Sequence, residues 1–216
     1  VLVAAFSWVL EQRCESETVC FAMEGHGRED VVPGVDLSRT VGWFTTMFPV
    51  VVDGVPTVGD VTDADLAAMI KTAKRSLSEM PNHGIGFGLL AQRGVEGLDN
   101  VPGMNDVVFN YLGQMDAGGG GGTAGEEAPL LRRSGEPDGR QVGPDVPRRH
   151  LIDVNGSVSG GRLQFAIGFS RLLHKRETIA AFGQAFERSL VRIAESCRAG
   201  SIGGFTPGDF ALVPEL

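Results

Sequence analysis

Residues 162–197 read RLQFAIGFSRLLHKRETIAAFGQAFERSLVRIAESC, a strand pattern followed by a helix pattern. Every second residue from Leu163 to Phe169 is large and apolar, which is typical of a strand with one face on a core. From residue 177 to residue 197 the apolar residues recur at helical spacing, which predicts a long amphipathic helix packed on that sheet. A sheet covered by a helix indicates an α/β fold.

The apolar patterns upstream of this stretch predict further strands and helices. The segment 62–79 opens with TDAD, a cap-like start with acids in its first turn, and it predicts a helix that ends at Pro81. The order helix, strand, strand, helix, strand, loop, strand, helix predicts an α/β sandwich with a mixed sheet and covering helices. The other predicted elements are a helix over 1–13 and strands over 18–23, 47–52 and 107–112.

The composition sets limits on the domain organisation. Residues 116–150 contain five successive glycines and four prolines, so we predict a long flexible loop within one domain unit that spans 1–198. Residues 199–216 are predicted to be a C-terminal tail or an interdomain linker. Because the chain begins inside an apolar helical pattern without a cap, we expect it to start in the middle of a domain.

Charge and cysteine content exclude several classes of function. A net charge of −8 without a basic run argues against a nucleic-acid-binding protein, which needs a surplus of Lys and Arg. The sequence contains no apolar run long enough to span a bilayer, so no membrane partner is expected. Three cysteines without CxxC spacing support neither a disulfide framework nor a zinc site, and they favour a reducing cytoplasm.

The segment 24–30, EGHGRED, concentrates ionisable side chains on a glycine-rich backbone. Glu24 follows a predicted strand, a position that suits a general base because burial can raise the pKa of a carboxyl group towards neutrality. Arg28 could oppose that rise, orient the acid or hold an anionic substrate group. The alternative is a solvated charged turn, and a metal site formed by Glu24 and His26 is a weaker one because no other ligand pair stands at metal spacing.

Tyr111 is the only tyrosine in the chain and lies in the predicted strand FNYLGQ. A phenol can donate a hydrogen bond to a developing oxyanion, whereas the alternative is a half-buried strand aromatic that bonds a backbone carbonyl. Because side chains alternate along a strand, Asn110 is expected to point away if Tyr111 faces the site.

Four segments resemble, in sequence and spacing, the later signature motifs of the epimerization domains of nonribosomal peptide synthetases. The resemblance covers nearly the whole chain apart from the glycine-rich loop, and the first two motifs differ from those of the related condensation domains. One departure is Phe87, where the third motif usually has tyrosine. The segments are EGHGRE (24–29), SRTVGWFTTMFPV (38–50), PNHGIGFG (81–88) and FNYLGQ (109–114).

The family's HHxxxDG motif, which supplies a catalytic histidine, is absent from this sequence. The resemblance therefore implies the C-terminal half of such a domain, one lobe of a two-lobed fold like that of chloramphenicol acetyltransferase. In the family the active site lies in the channel between the lobes. By itself this chain is expected to show little or no turnover.

The resemblance also implies a reaction. Epimerization domains invert the α-carbon of an aminoacyl or peptidyl thioester held on the 4′-phosphopantetheine of a carrier protein, and they need no cofactor of their own. The implied partners are a peptidyl carrier protein, the N-terminal lobe and neighbouring synthetase domains. The implied residues are Glu24 and Tyr111 as catalytic groups, His26, Arg28 and Asn110 in supporting roles, and Trp43, Gly84 and Gly86 in the substrate channel.

Two other functions remain open from the sequence. A degenerate condensation-like module could dock carrier proteins without catalysis, and a condensation-type acyltransferase would form a peptide bond with an acceptor thioester. The EGHGRE segment makes the acyltransferase the weakest of the three hypotheses.

Overall fold

The fold was analysed in a computed structural model that describes residues 1–56, 61–98, 100–115, 139, 142–143, 145–206 and 209. Helices and strands occur in the order helix, two strands, helices, three strands, helix, so the chain alternates between the sheet and its covering layers. The elements are α1 (Leu2–Cys14), β1 (Val19–Gly25), β2 (Thr46–Val52), α2 (Asp63–Ser78), a 3₁₀ turn (Pro81–Gly84), α3 (Phe87–Gln92), β3 (Val107–Gln114), β4 (Ile152–Ser159), β5 (Arg162–Phe169) and α4 (Arg176–Arg198).

The five strands form one mixed sheet in the order β2-β1-β3-β4-β5. The three central strands are parallel to one another, and each edge strand pairs antiparallel with its neighbour. Pro49, which lacks a backbone N–H, is tolerated in β2 because β2 is an edge strand. The predicted α/β class with a mixed sheet and covering helices is confirmed.

The core lies between the sheet and helices α1 and α4 and is rich in phenylalanine. The ring of Phe6 on α1 is fully buried, with its centroid 5.0 Å from that of Phe21 and 4.7 Å from that of Phe109. On α4, Phe186 approaches Phe6 edge-on at 5.5 Å, a geometry that aromatic pairs prefer. These contacts hold β1 and β3 side by side, with Glu24 near the end of β1 and Asn110 in the middle of β3.

The residues at the start of α2 form the helix cap that the sequence predicts. The hydroxyl of Thr62 accepts a hydrogen bond from the Asp65 backbone N–H, and the Asp65 carboxylate accepts one from the Thr62 backbone N–H. This capping box satisfies two backbone donors that a helix start leaves without partners. The predicted helix over 62–79 is confirmed as Asp63–Ser78.

Strand β4, helix α3 and the 3₁₀ turn were not predicted from the sequence. Strand β4 does alternate Ile152, Val154 and Val158 with polar residues, and Gly160 and Gly161, with φ of 58° and 69°, mark the hairpin to β5. The short helix α3 has no buried residue, so its apolar period is weak. Most of the predicted loop at 116–150 and part of the tail at 199–216 lie outside the described residues, and both stay predictions.

Glu11 on α1 is a buried acid, only 1% exposed. Among the described residues, neither carboxyl oxygen of Glu11 has a hydrogen-bond partner, and the same is true of the Ser7 hydroxyl one turn earlier. Burial raises the pKa of Glu11, and the negative charges of Glu15 and Glu17 raise it further. Because the folded chain holds this proton more tightly than the unfolded chain, the contribution of Glu11 to stability falls as the pH rises.

Candidate active site

Glu24 lies at the end of β1, next to the parallel strand β3. The pairs Ala22 with Val108 and Met23 with Phe109 set the register, which brings Asn110 opposite Glu24. The Asn110 side-chain amide donates a hydrogen bond of 2.8 Å from Nδ2 to Glu24 Oε2. One carboxylate oxygen is thus held in place while the other is not used in this contact.

The carboxyl group of Glu24 is partly buried, and this burial raises its pKa above the ordinary value of a glutamate. A carboxylate removed from water is a stronger base, because the charged form loses hydration that the protein replaces only in part. The Asn110 hydrogen bond acts in the opposite direction, since it stabilises the ionised form. Glu24 is therefore a carboxyl group held by a hydrogen bond and with a raised pKa, two properties that suit a general base.

Glu24 and Asn110 border a crevice of about 480 Å³. One wall is apolar and consists of side chains at the edge of the core, whereas the rim carries ionisable groups and a phenol. Pockets of this kind, with apolar walls and a few convergent polar groups, are typical of small-molecule sites. The lining residues with the greatest bearing on the chemistry are Glu24, His26, Glu29, His83, Asn110 and Tyr111, and the apolar wall includes Met23, Phe48, Leu77 and Met80.

The loop after β1 turns sharply at Gly27, whose φ is +65°. A Cβ atom at this position would lie 1.7 Å from the Phe44 backbone oxygen, so only glycine fits. Arg28 follows Gly27 and is not among the residues that line the crevice. Its guanidinium donates a 2.6 Å hydrogen bond to the Leu37 carbonyl and stacks over the Phe44 ring at 4.3 Å.

Several residues predicted from the sequence do come together. Glu24, His26, Asn110 and Tyr111 all line the crevice, and Tyr111 is 44% exposed at its rim. The expectation that Asn110 points away from the site is wrong, because the parallel register directs its amide to Glu24. The roles assigned to these residues stay predictions.

The three predicted channel residues are not among those that line the crevice. Trp43 is 91% exposed on the loop before β2. Gly84, with φ of +80°, lies against the Phe48 ring, and a Cβ there would come within 2.1 Å of that ring. A Cβ at Gly86 would make only an ordinary van der Waals contact, with the Leu90 side chain at 4.0 Å. Their predicted place in a substrate channel stays a prediction.

Glu29 and His83 were not predicted as site residues, although both stand inside the quoted motifs. Their side chains meet across the rim of the crevice, with Glu29 Oε2 3.9 Å from His83 Nε2. Because Glu29 and His83 lie far apart along the chain, no local sequence pattern predicts the contact between them. In the part of the chain that the structure describes, no group of three or more His, Cys, Asp or Glu side chains could hold a metal ion.

Removing the Asn110 amide should raise the pKa of Glu24 further. A hydrogen bond to a charged group contributes about 1.5–3 kcal/mol, and in Asn110→Ala the ionised carboxylate loses this stabilisation while its burial remains. Titration of the Glu24 carboxyl carbon by NMR measures the change. Asn105→Ala, an exposed amide on the loop before β3, should leave the titration unchanged. An unchanged or lowered pKa in Asn110→Ala would contradict this account.

Comparison with protein families decides the classification of the chain. The model of the family described as the condensation domain matches residues 1–201. The chain belongs to the condensation-domain family. This condensation-family chain is 35% identical over 216 residues to one of the linear gramicidin synthase proteins of Brevibacillus parabrevis, and 37% identical over 214 residues to chondramide synthase cmdD of Chondromyces crocatus.

These alignments cover 98% and 99% of the condensation-family chain but only 3% and 5% of the two synthases. Among solved structures, the chain is similar to the epimerization domain from the third module of tyrocidine synthetase B. The identity is 29% and the TM-score 0.72, over 92% of this chain and 42% of that one. The first condensation domain of the CDA synthetase shares the fold with a TM-score of 0.55 at 13% identity.

No helix among the described segments combines the length and the apolar character that a membrane crossing requires.

Proposed function

We propose that this chain is the C-terminal part of an epimerization domain of a nonribosomal peptide synthetase. The domain would invert the α-carbon of an aminoacyl or peptidyl group held as a thioester on a carrier protein. The observation that carries the proposal is the partly buried Glu24 carboxyl group, with its raised pKa, held by Asn110 at the edge of a crevice. The similarity to the tyrocidine synthetase epimerization domain supports it.

In the proposed mechanism Glu24 removes the α-proton of the thioester. The C–H bond breaks, its electron pair passes into the enolate, and the proton binds to the carboxylate oxygen that Asn110 does not hold. Reprotonation of the planar enolate from the opposite face gives the inverted centre. By resemblance, the histidine of the HHxxxDG motif on the N-terminal lobe faces this crevice, where it would donate the proton or stabilise the enolate.

Tyr111 and Arg28 take different supporting roles in this proposal. The Tyr111 hydroxyl at the rim can donate a hydrogen bond to the enolate oxygen, whose negative charge develops during proton removal. Arg28 acts through the loop, because its guanidinium is engaged by the Leu37 carbonyl and the Phe44 ring. The apolar wall limits water near the carboxylate and so preserves its basicity.

The proposed reaction involves no cofactor of the domain's own. The phosphopantetheine arm belongs to the carrier protein, and the apolar and polar sides of the crevice would receive the aminoacyl thioester at its end. The proposed partners are a peptidyl carrier protein, the N-terminal lobe and neighbouring synthetase domains. The similarity to two large synthases supports this setting, which we place in the cytoplasm.

The family match also favours a second candidate, peptide-bond formation by a condensation domain. In that case the crevice would bind an acceptor thioester, and Glu24 would have no reason to approach an α-carbon. A third candidate, a module that only docks carrier proteins, would bind them without any reaction.

An isotope experiment on the natural protein that contains this chain separates the candidates. A carrier-bound aminoacyl thioester is incubated in deuterated water, and the released amino acid is analysed by chiral chromatography and mass spectrometry. We expect deuterium at the α-carbon together with the inverted enantiomer. Peptide-bond formation without exchange would favour condensation, and carrier binding with neither reaction would favour a docking module.

A further inference from the structure

The Glu29 carboxylate lies between two histidines at the rim of the crevice. Its Oε1 atom is 3.2 Å from His26 Nε2, and its Oε2 atom is 3.9 Å from His83 Nε2. The Glu29 side chain is 18% exposed, whereas the two histidine side chains are 68% and 66% exposed. Glu29 is thus the inner member of the cluster, and the histidines form its outer sides.

A backbone contact fixes the orientation of His26. Its Nδ1 atom accepts a hydrogen bond of 3.0 Å from the Arg28 backbone N–H. In a neutral imidazole whose Nδ1 is an acceptor, Nε2 carries the proton. The proton-bearing nitrogen of His26 therefore faces Glu29. The Arg28 backbone N–H in the same loop thus determines that His26 is the donor and Glu29 the acceptor in this contact.

The second histidine belongs to a turn with an unfavourable backbone. Asn82 and His83 both adopt left-handed conformations, with φ of 48° and 51°, which are sterically costly for residues other than glycine and persist only when the surroundings support them. Among the residues that the structure describes, no backbone hydrogen bond joins this turn to the loop at 26–29. The contact between Glu29 and His83 is therefore a side-chain contact between two segments that lie far apart in the sequence.

This turn borders the strand end that carries Glu24. A Cβ atom at Gly25, the residue next to Glu24, would lie 3.8 Å from the His83 carbonyl oxygen and 3.0 Å from the Phe48 ring. Gly84, the next residue of the turn, lies against that same ring. The Phe48 ring therefore lies against both Gly84 and Gly25, and through this ring a shift of the turn would reach the backbone beside Glu24.

We propose that Glu29 is a positioning residue for epimerisation, which fixes the His83 turn against the end of β1 and so holds the crevice around Glu24 in its productive shape. This inference rests on the proposed function. Glu29 acts through His83 and the backbone and takes no part in proton transfer. Because small misplacements of reacting groups reduce rates strongly, the expected effect is on the chemical step.

The test compares four variants of the natural protein that contains this chain, by the rate of α-deuterium exchange into the carrier-bound substrate. Glu29→Gln removes the charge, and His83→Asn removes the imidazole while keeping a residue type that tolerates the left-handed conformation. The third variant combines both changes. Asp30→Asn, a neutralised and exposed acid one residue further on, is the matched control.

We expect each single change to lower kcat by about tenfold with little change in KM. The double variant should also lose about tenfold instead of about a hundredfold, because both changes break the same link. Asp30→Asn should match the wild type. The non-additivity and the confinement to kcat distinguish positioning from a general loss of stability, which thermal unfolding of each variant monitors.

Other results would overturn the inference. Exchange in Glu29→Gln equal to that in Asp30→Asn would show that the link does not matter, and additive losses would show that Glu29 and His83 act independently. A raised KM with unchanged kcat would make Glu29 a binding group. A wild type without exchange would overturn the proposed function and this inference with it, whereas wild-type exchange that is lost in Glu24→Gln but not in Glu29→Gln would overturn this inference alone.

Discussion

Glu24→Gln in the natural protein that contains this chain should lower the rate of α-proton exchange by about a thousandfold or more. Glutamine has nearly the shape of glutamate and can still accept the Asn110 hydrogen bond, but its amide cannot take up a proton at neutral pH. A general base contributes factors of about 10² to 10⁴, so its loss removes most of the catalysis. Deuterium incorporation at the substrate α-carbon measures the effect.

The matched control for this change is Glu96→Gln, which neutralises an exposed glutamate outside the crevice and should leave exchange unchanged. Removing Glu24 should not unfold the protein, because a neutral amide is easier to bury than a carboxylate with a raised pKa. A thermal unfolding midpoint at or above that of the wild type is the expected companion result. Exchange at the wild-type rate in a folded Glu24→Gln variant would refute the role of Glu24.

Gly27→Ala should destabilise the chain by about 3 kcal/mol, a large effect for one methyl group. The left-handed φ of Gly27 costs about 1–2 kcal/mol for any other residue. In addition, the new Cβ would meet the Phe44 backbone oxygen at 1.7 Å, so the loop must move. That movement would displace Arg28 from Phe44 and disturb the rim of the crevice. Urea unfolding of the two proteins measures the difference in free energy.

Gly34→Ala separates the two causes of this destabilisation. Gly34 also has a left-handed φ of +80°, but a Cβ there would meet nothing within 4 Å. This control should therefore lose only about 1–2 kcal/mol, the conformational part of the cost. If both variants lost the same free energy of unfolding, the close approach between the 26–29 loop and Phe44 would contribute nothing to the destabilisation.

Local chemistry explains how much of the fold could be predicted from the sequence. The capping residues and apolar spacing of α2 lie within one segment, so its limits followed to within a residue of those observed. The same holds for α4, whose buried Phe182 and Phe186 lie at helical spacing. Strand β4 was missed although Ile152, Val154 and Val158 alternate with polar residues, because Gly156 interrupts this short pattern and the glycine- and proline-rich segment 116–150 directly precedes it. Pairing on both sides with β3 and β5 orders its backbone.

In the candidate site, too, the features that depend on neighbouring residues in the sequence could be predicted, and those that depend on tertiary contacts could not. Glu24 could be singled out because a strand pattern, an acid and two glycines adjoin one another in the sequence. The contact of Asn110 with Glu24 could not, since it depends on the parallel register of β1 and β3. Likewise the orientation of Arg28 depends on Phe44, and the partner of Glu29 lies on a turn that no periodicity predicts. Which strands become neighbours is a property of the whole sheet.

The hydrogen bond between Asn110 and Glu24 joins residues 86 positions apart in the chain. Closing so long a loop is entropically costly. Parallel strand pairings of this kind form slowly, because their contacts become favourable only after the intervening chain has been ordered. A nascent chain that has emerged only as far as α2 would already contain Glu24 but not its partner strand. During synthesis the Glu24 carboxylate would therefore stay hydrated until β3 docks, so the raised pKa of this group would arise only when the sheet is assembled.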